Sequence, residues 1–167
     1  MTEGHESTGA VQLGGDPQST ERAGRWVGER LRAGQTVALT GPLGAGKTTF
    51  VRGVAKGLGV DDPDEVHSPT YLLVVEHPGE PALLHADAYL PEKLASFLED
   101  GGLEYLLDPA KVVCVEWAEN VHKLLPQIYL DVELGHSAGG GRWLRVQSTA
   151  PGEFPWLAEL STIPWGD

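Results

Sequence analysis

Apolar positions along this chain keep two rhythms, and the switches between them mark out the elements. Ala23, Trp26, Val27 and Leu31, with Arg30 in the same series, recur at three and four residues and predict a helix with one buried face. Asp16-Pro17 opens it as N-cap and first helical position, Ser19 is the other available cap, and Arg32-Ala33-Gly34 closes it. Residues 35–40 form a β-branched and apolar run, which predicts a buried strand. Phe50, Val51, Val54, Ala55 and Leu58 return to helical spacing, so 47–58 is a helix, stopped by Gly57-Leu58-Gly59-Val60. Pro69 holds 66–71 extended. Runs 71–76 and 82–85 flank the five-residue turn 77–81 and predict a hairpin. Pro91 starts a short helix over 91–98, Gly101-Gly102 breaks it, and a further helical turn covers 102–107. Residues 112–117 are the most apolar strand, with Glu116 at its end. A short helix over 119–125 ends at Pro126. Runs 128–134 and 142–148 alternate around a glycine-rich turn, an antiparallel hairpin at the sheet's edge, and 155–160 is a last short helix. Residues 1–15 show no periodicity and read as a mobile tail. That leaves 16–167 as one domain without internal repeats.

Composition narrows the class. The chain has 167 residues, 41% of them apolar, enough for one domain with a real core. No apolar run approaches the ~20 residues of a membrane span, and no cationic start precedes an apolar signal-peptide core. The single cysteine, Cys114, excludes an internal disulfide, fits a reducing cytoplasm and reads as a small core residue. A formal charge of −12 argues against broad binding of DNA or RNA by this chain alone, because phosphate backbones need Lys and Arg.

The chemistry is concentrated in Gly41-Pro42-Leu43-Gly44-Ala45-Gly46-Lys47-Thr48, which fits G-x-x-x-x-G-K-[ST] between a predicted strand and a predicted helix. Glycines let the backbone curl its N–H groups around a phosphate, and the helix start adds a positive dipole end. Lys47 is expected at the β- and γ-phosphates of a nucleoside triphosphate, and the Thr48 hydroxyl at Mg²⁺. Such a site needs an acid at a nearby strand end; Asp87 and Glu116 are the two candidates. His85 reads as structural, since no second His or Cys has metal spacing to it. Ser19 and Thr20 either lie near the nucleotide base or only cap a helix. Thr70 either senses the γ-phosphate on a switch-like loop or belongs to an ordinary Ser-Pro turn. No N-K-x-D segment reads guanine, so ATP is favoured over GTP. Of seven arginines only Arg52, Arg142 and Arg145 follow the loop, and none forms the lid cluster of a small-molecule kinase. A minimal, partner-coupled ATPase is left ahead of that kinase alternative. Its transition-state charge would be met by Lys47, Mg²⁺ or a residue from another chain.

Taken in order, GPLGAGKTTF over 41–50, Ser68-Pro69-Thr70-Tyr71, His85-Ala86-Asp87-Ala88-Tyr89 and Val115-Glu116-Trp117 with Leu124-Leu125-Pro126 resemble the TsaE family. These are ATPases of bacterial tRNA threonylcarbamoyladenosine biosynthesis. The resemblance implies an α/β P-loop NTPase domain with a mixed, mostly parallel sheet. It implies slow Mg²⁺-dependent ATP hydrolysis in the cytoplasm, in support of TsaB and TsaD, which modify adenosine 37 of tRNA. Contact with tRNA would then run through the complex, with no membrane and no stable DNA partner. Nucleotide is expected on Ser19, Thr20, Gly44, Ala45, Gly46, Lys47, Thr48, Thr49 and Trp117. Mg²⁺ is expected on Thr48 and Glu116, and catalysis is assigned to Lys47, Thr70, Asp87 and Glu116. One departure stands out: Leu90 occupies a position where the family often has arginine.

Overall fold

The computed structural model describes residues 6–69 and 73–165. Eight strands make one sheet: β1 (Glu6–Ser7), β2 (Val11–Leu13), β3 (Thr36–Thr40), β4 (Val74–His77), β5 (Ala82–Asp87), β6 (Lys111–Glu116), β7 (Leu130–His136) and β8 (Arg142–Ser148). Their order is β1-β8-β7-β3-β6-β5-β4, with β2 also paired to β8. Pairing is parallel at the centre, from β7 through β3 and β6 to β5, and antiparallel on both flanks. The helices are α1 (Pro17–Gly28), α2 (Lys47–Leu58), α3 (Pro91–Phe97), α4 (Leu103–Leu106) and α5 (Leu157–Leu160). No described helix is long and apolar enough to cross a membrane.

Strand burial explains the two kinds of strand sequence. In β3, Val37 and Leu39 join the core under α1, α2 and α5, while Ala38 joins a second core under α3. β6 divides likewise, Val112 and Cys114 against Val113 and Val115, so both faces are covered and the run is continuously apolar. In β7 and β8 only one face is buried, through Leu130, Val132, Leu134, Leu144 and Val146, hence the clean alternation.

α1 and α2 approach each other through glycine. Gly24 and Gly28 on one face Gly53 and Gly57 on the other. A Cβ on Gly53 would stand 2.1 Å from the Glu21 carbonyl oxygen, and one on Gly24 would stand 2.2 Å from that of Phe50. The two backbones are therefore packed at contact distance, and this holds α1 beside the start of α2.

Four expectations are corrected. Residues 6–13, read as part of a mobile tail, contain β1 and β2, and Val11 and Leu13 are buried. Their pairing with β8 places two short strands outside the hairpin that was expected at the sheet's edge. α1 ends at Gly28, short of 32–34, where the Val27 carbonyl takes both the Arg30 N–H at 3.0 Å and the Leu31 N–H at 3.1 Å. The short helix over 119–125 is a 3₁₀ segment, Ala118–Leu124, interrupted at Val121 with φ −132°. Residues 70–72 of the expected extended segment and hairpin lie outside the described residues.

Candidate functional site

Every segment of the site leaves the same end of the sheet, the carboxyl end of its parallel strands, where open α/β sheets hold their ligands. The loop 41–46 follows β3 and turns directly into α2. Gly41 adopts φ 144°, and a Cβ there would meet the Leu134 carbonyl oxygen at 2.3 Å, so glycine is required for the loop to pass β7. α2 has no side-chain N-cap. Its first intrahelical bond is Phe50 N–H to Gly46 O, 2.9 Å, so the N–H groups of Lys47, Thr48 and Thr49 have no partner within the helix. That start opens onto a cleft of about 500 Å³.

Lys47 is buried, and its Nζ donates to the carbonyls of Gly41 (2.6 Å) and Pro42 (3.0 Å). It stands 4.1 Å from the centre of the Trp117 ring. Burial pulls its pKa below the usual lysine value, against the opposing pull of Glu116, Glu119 and Asp87. Trp117 itself adopts φ 58°, a left-handed conformation that costs a residue with a side chain about 1–2 kcal/mol and turns the chain sharply after Glu116.

Glu116 and Asp87 end neighbouring parallel strands and are partners in register, which puts both carboxylates side by side on the α2 face. Both are buried. The Thr48 hydroxyl lies 3.0 and 2.9 Å from the two Glu116 oxygens. His85 Nε2 is 2.5 Å from Glu116 Oε2. Asp87 Oδ2 accepts from the Ser68 hydroxyl at 3.0 Å, and its Oδ1 accepts from the Tyr89 N–H at 2.8 Å. The Cys114 thiol is pushed up, first by burial and then by the Glu116 charge, which keeps it an inert core group.

Of the residues expected at a site, the cleft brings together Gly44, Gly46, Lys47, Thr48, Thr49, Asp87, Glu116 and Trp117. Ala45 packs in the core instead. Ser19 is not brought to the cleft; its hydroxyl lies within hydrogen-bond range of the Gly14 and Asp16 carbonyls, at 3.4 and 3.2 Å, in the cap of α1. Thr20 backs the loop, its methyl 3.3 Å from where a Cβ on Gly46 would stand, and its buried hydroxyl finds no partner among the described residues. Thr70 lies outside the described residues.

Sequence reasoning missed Ser68, Tyr89 and Arg142 as lining residues. Tyr89 sets its ring 5.0 Å from that of Trp117. Arg142 donates to the carbonyls of Gly15 (3.0 Å) and Gly44 (3.4 Å), bracing the loop from the first residue of β8. An arginine of the same chain therefore touches the loop, where none had been expected. The H-x-D-x-Y spacing was the available signal for Tyr89; Arg142 had none.

The donor set suits a hard cation. Mg²⁺ takes one or two carboxylates and a hydroxyl and completes its shell with water and phosphate oxygens, rather than requiring a protein cage. The Thr48–Glu116 pair, with Asp87 adjacent, offers such a set, and no cluster of three or more metal-binding side chains occurs among the described residues.

A family model described as threonylcarbamoyl adenosine biosynthesis protein TsaE matches residues 15–143. The chain belongs to the TsaE family. A tRNA threonylcarbamoyladenosine biosynthesis protein TsaE from Treponema pallidum is 38% identical over 129 residues, covering 77% of this chain and 93% of that one. One of the same description from Mycobacterium bovis is 40% identical over 126 residues, covering 70% and 73%. The crystal structure of Bacillus subtilis YdiB superposes with a TM-score of 0.74 at 25% identity, over 95% of this chain and 97% of that one. The fold is accordingly that of a P-loop NTPase-type domain. The TsaE match includes every expected site residue and stops just past Arg142.

Proposed function

We propose that this TsaE-family chain binds ATP with Mg²⁺ in the cleft, hydrolyses it slowly, and so supports threonylcarbamoylation of adenosine 37 of tRNA together with TsaB and TsaD. The observation that carries the nucleotide reading is the convergence of the uncapped α2 start, the buried Lys47 and the Thr48–Glu116 pair on one cleft. The names of the relatives support the pathway.

The roles follow from the donors. The N–H groups of Lys47, Thr48 and Thr49, unpartnered within the helix, cradle phosphate oxygens, and the Lys47 ammonium exchanges its two loop carbonyls for the more basic β- and γ-phosphates. Thr48 and Glu116 hold Mg²⁺, which spreads charge from the γ-phosphoryl group when bound. Asp87, held by the Ser68 hydroxyl and the Tyr89 N–H, orients the water that attacks the γ-phosphorus; the bond to the β–γ bridging oxygen breaks, and the water's proton leaves with the phosphate released. Thr70 is kept as a switch residue on the strength of the resemblance alone.

The direct test of this assignment is ATP affinity by calorimetry, with and without Mg²⁺. Mg²⁺ tightens binding to the unaltered chain, and Glu116→Ala loses at least about tenfold of that gain, since removing even an outer partner of a metal site costs about 10–100-fold. A Glu116→Ala chain with normal Mg²⁺-dependent affinity would remove Glu116 from the metal site.

A further inference from the structure

We infer that His85 is a positioning residue for this site, setting the plane and rotamer of the Glu116 carboxylate; the inference rests on the ATP–Mg²⁺ reading above. β5 alternates Leu83, His85 and Asp87 onto the α2 face, and register opposes His85 to Cys114 and Asp87 to Glu116. His85 therefore lies one step beneath the two carboxylates. It is fully buried, and Nε2, 2.5 Å from Glu116 Oε2, is its one polar contact among the described residues, because Nδ1 has none. A ring with its proton on Nε2 donates that bond and leaves Nδ1 bare. The nearest ring, that of His77 at 6.5 Å, is turned toward its neutral form chiefly by burial, so it brings little positive charge to the pair.

Among the described residues, the only other bond on the carboxylate is the single Thr48 proton, shared between two oxygens at 3.0 and 2.9 Å. When Thr48 and Glu116 turn to a cation, that bond is given up and the His85 bond is what remains. A buried polar ring so deep in an apolar sheet is costly unless its bond matters. Outer partners of metal ligands commonly act this way, fixing ligand orientation at about 10–100-fold in metal affinity.

Two polar variants separate positioning from filling. In His85→Gln the amide nitrogen reaches about as far as Nε2; in His85→Asn it stops at about the position of Nδ1. Calorimetry gives ATP affinity with and without Mg²⁺, and thermal melts of the ligand-free chain report folding. His85→Asn is expected to lose 10–100-fold of the Mg²⁺ gain, with Mg²⁺-free affinity unchanged within about twofold. His85→Gln is expected to restore most of the gain, even where both variants melt at the same lowered temperature. Equal loss in both variants, or no loss in His85→Asn, would overturn the inference alone. An unaltered chain whose ATP affinity ignores Mg²⁺ would overturn the metal reading and the inference together.

Discussion

Lys47→Ala is expected to abolish measurable ATP binding, to cut turnover by at least about 10²–10³-fold, and not to destabilise the ligand-free chain. The first two effects follow from the position of Nζ at the mouth of the uncapped α2 start, where it is the cation best placed to meet charge on a transferring phosphoryl group. The third follows from burial. Folding lowers the Lys47 pKa, chiefly by desolvation, so at neutral pH its charge is carried at a cost that lifts as pH rises through that lowered value and is gone by the ordinary lysine value. Removing the ammonium removes that cost. The carbonyls of Gly41 and Pro42 lose a donor, but they sit on a loop at an open cleft. Calorimetry, phosphate release and a thermal melt read the three effects. A variant that still turns over ATP normally contradicts the role, and one that melts well below the unaltered chain contradicts the account of its burial.

The second large effect lies away from the cleft. Gly53→Val is expected to cost about 3 kcal/mol or more in denaturant unfolding. The new Cβ would fall 2.1 Å from the Glu21 carbonyl oxygen and 2.8 Å from the Arg25 nitrogen, and both are backbone atoms of α1 that cannot rotate aside. Relief requires α1 to move off α2, and α1 carries Thr20, which backs Gly46. The folded fraction is therefore expected to bind ATP more weakly as well. A loss below about 1 kcal/mol would mean the helices separate easily and that their close approach does not hold the loop.

What could be read in advance was local. The loop pattern, the helix Lys47–Leu58 and the strand ending in Glu116 each have their signal within a dozen consecutive residues, and all three stand where they were expected. The α1–α2 contact was hidden because it is made by glycines, whereas the periodicity was traced through apolar side chains and picked Trp26 and Arg30, both only partly buried. Val11-Gln12-Leu13 alternates for three residues among Gly, Ser and Thr, too short a run to mark a strand until β8 is beside it. Arg142 is one residue in a hairpin; it reaches Gly44 only because β7 runs parallel beside β3 and the antiparallel β8 begins at the end of the sheet where both finish. His85 looked structural for lack of a second metal-binding partner at the usual spacing. Its partner proved to be a carboxylate on the neighbouring strand.

The most direct measurement is phosphate release from ATP by the full chain, alone and then with TsaB, TsaD and unmodified tRNA. The predicted result is low Mg²⁺-dependent turnover that changes when the three are added and vanishes in Lys47→Ala. Turnover indifferent to all three, with phosphate passing instead to a small-molecule acceptor, would contradict the coupled-ATPase account and favour a kinase.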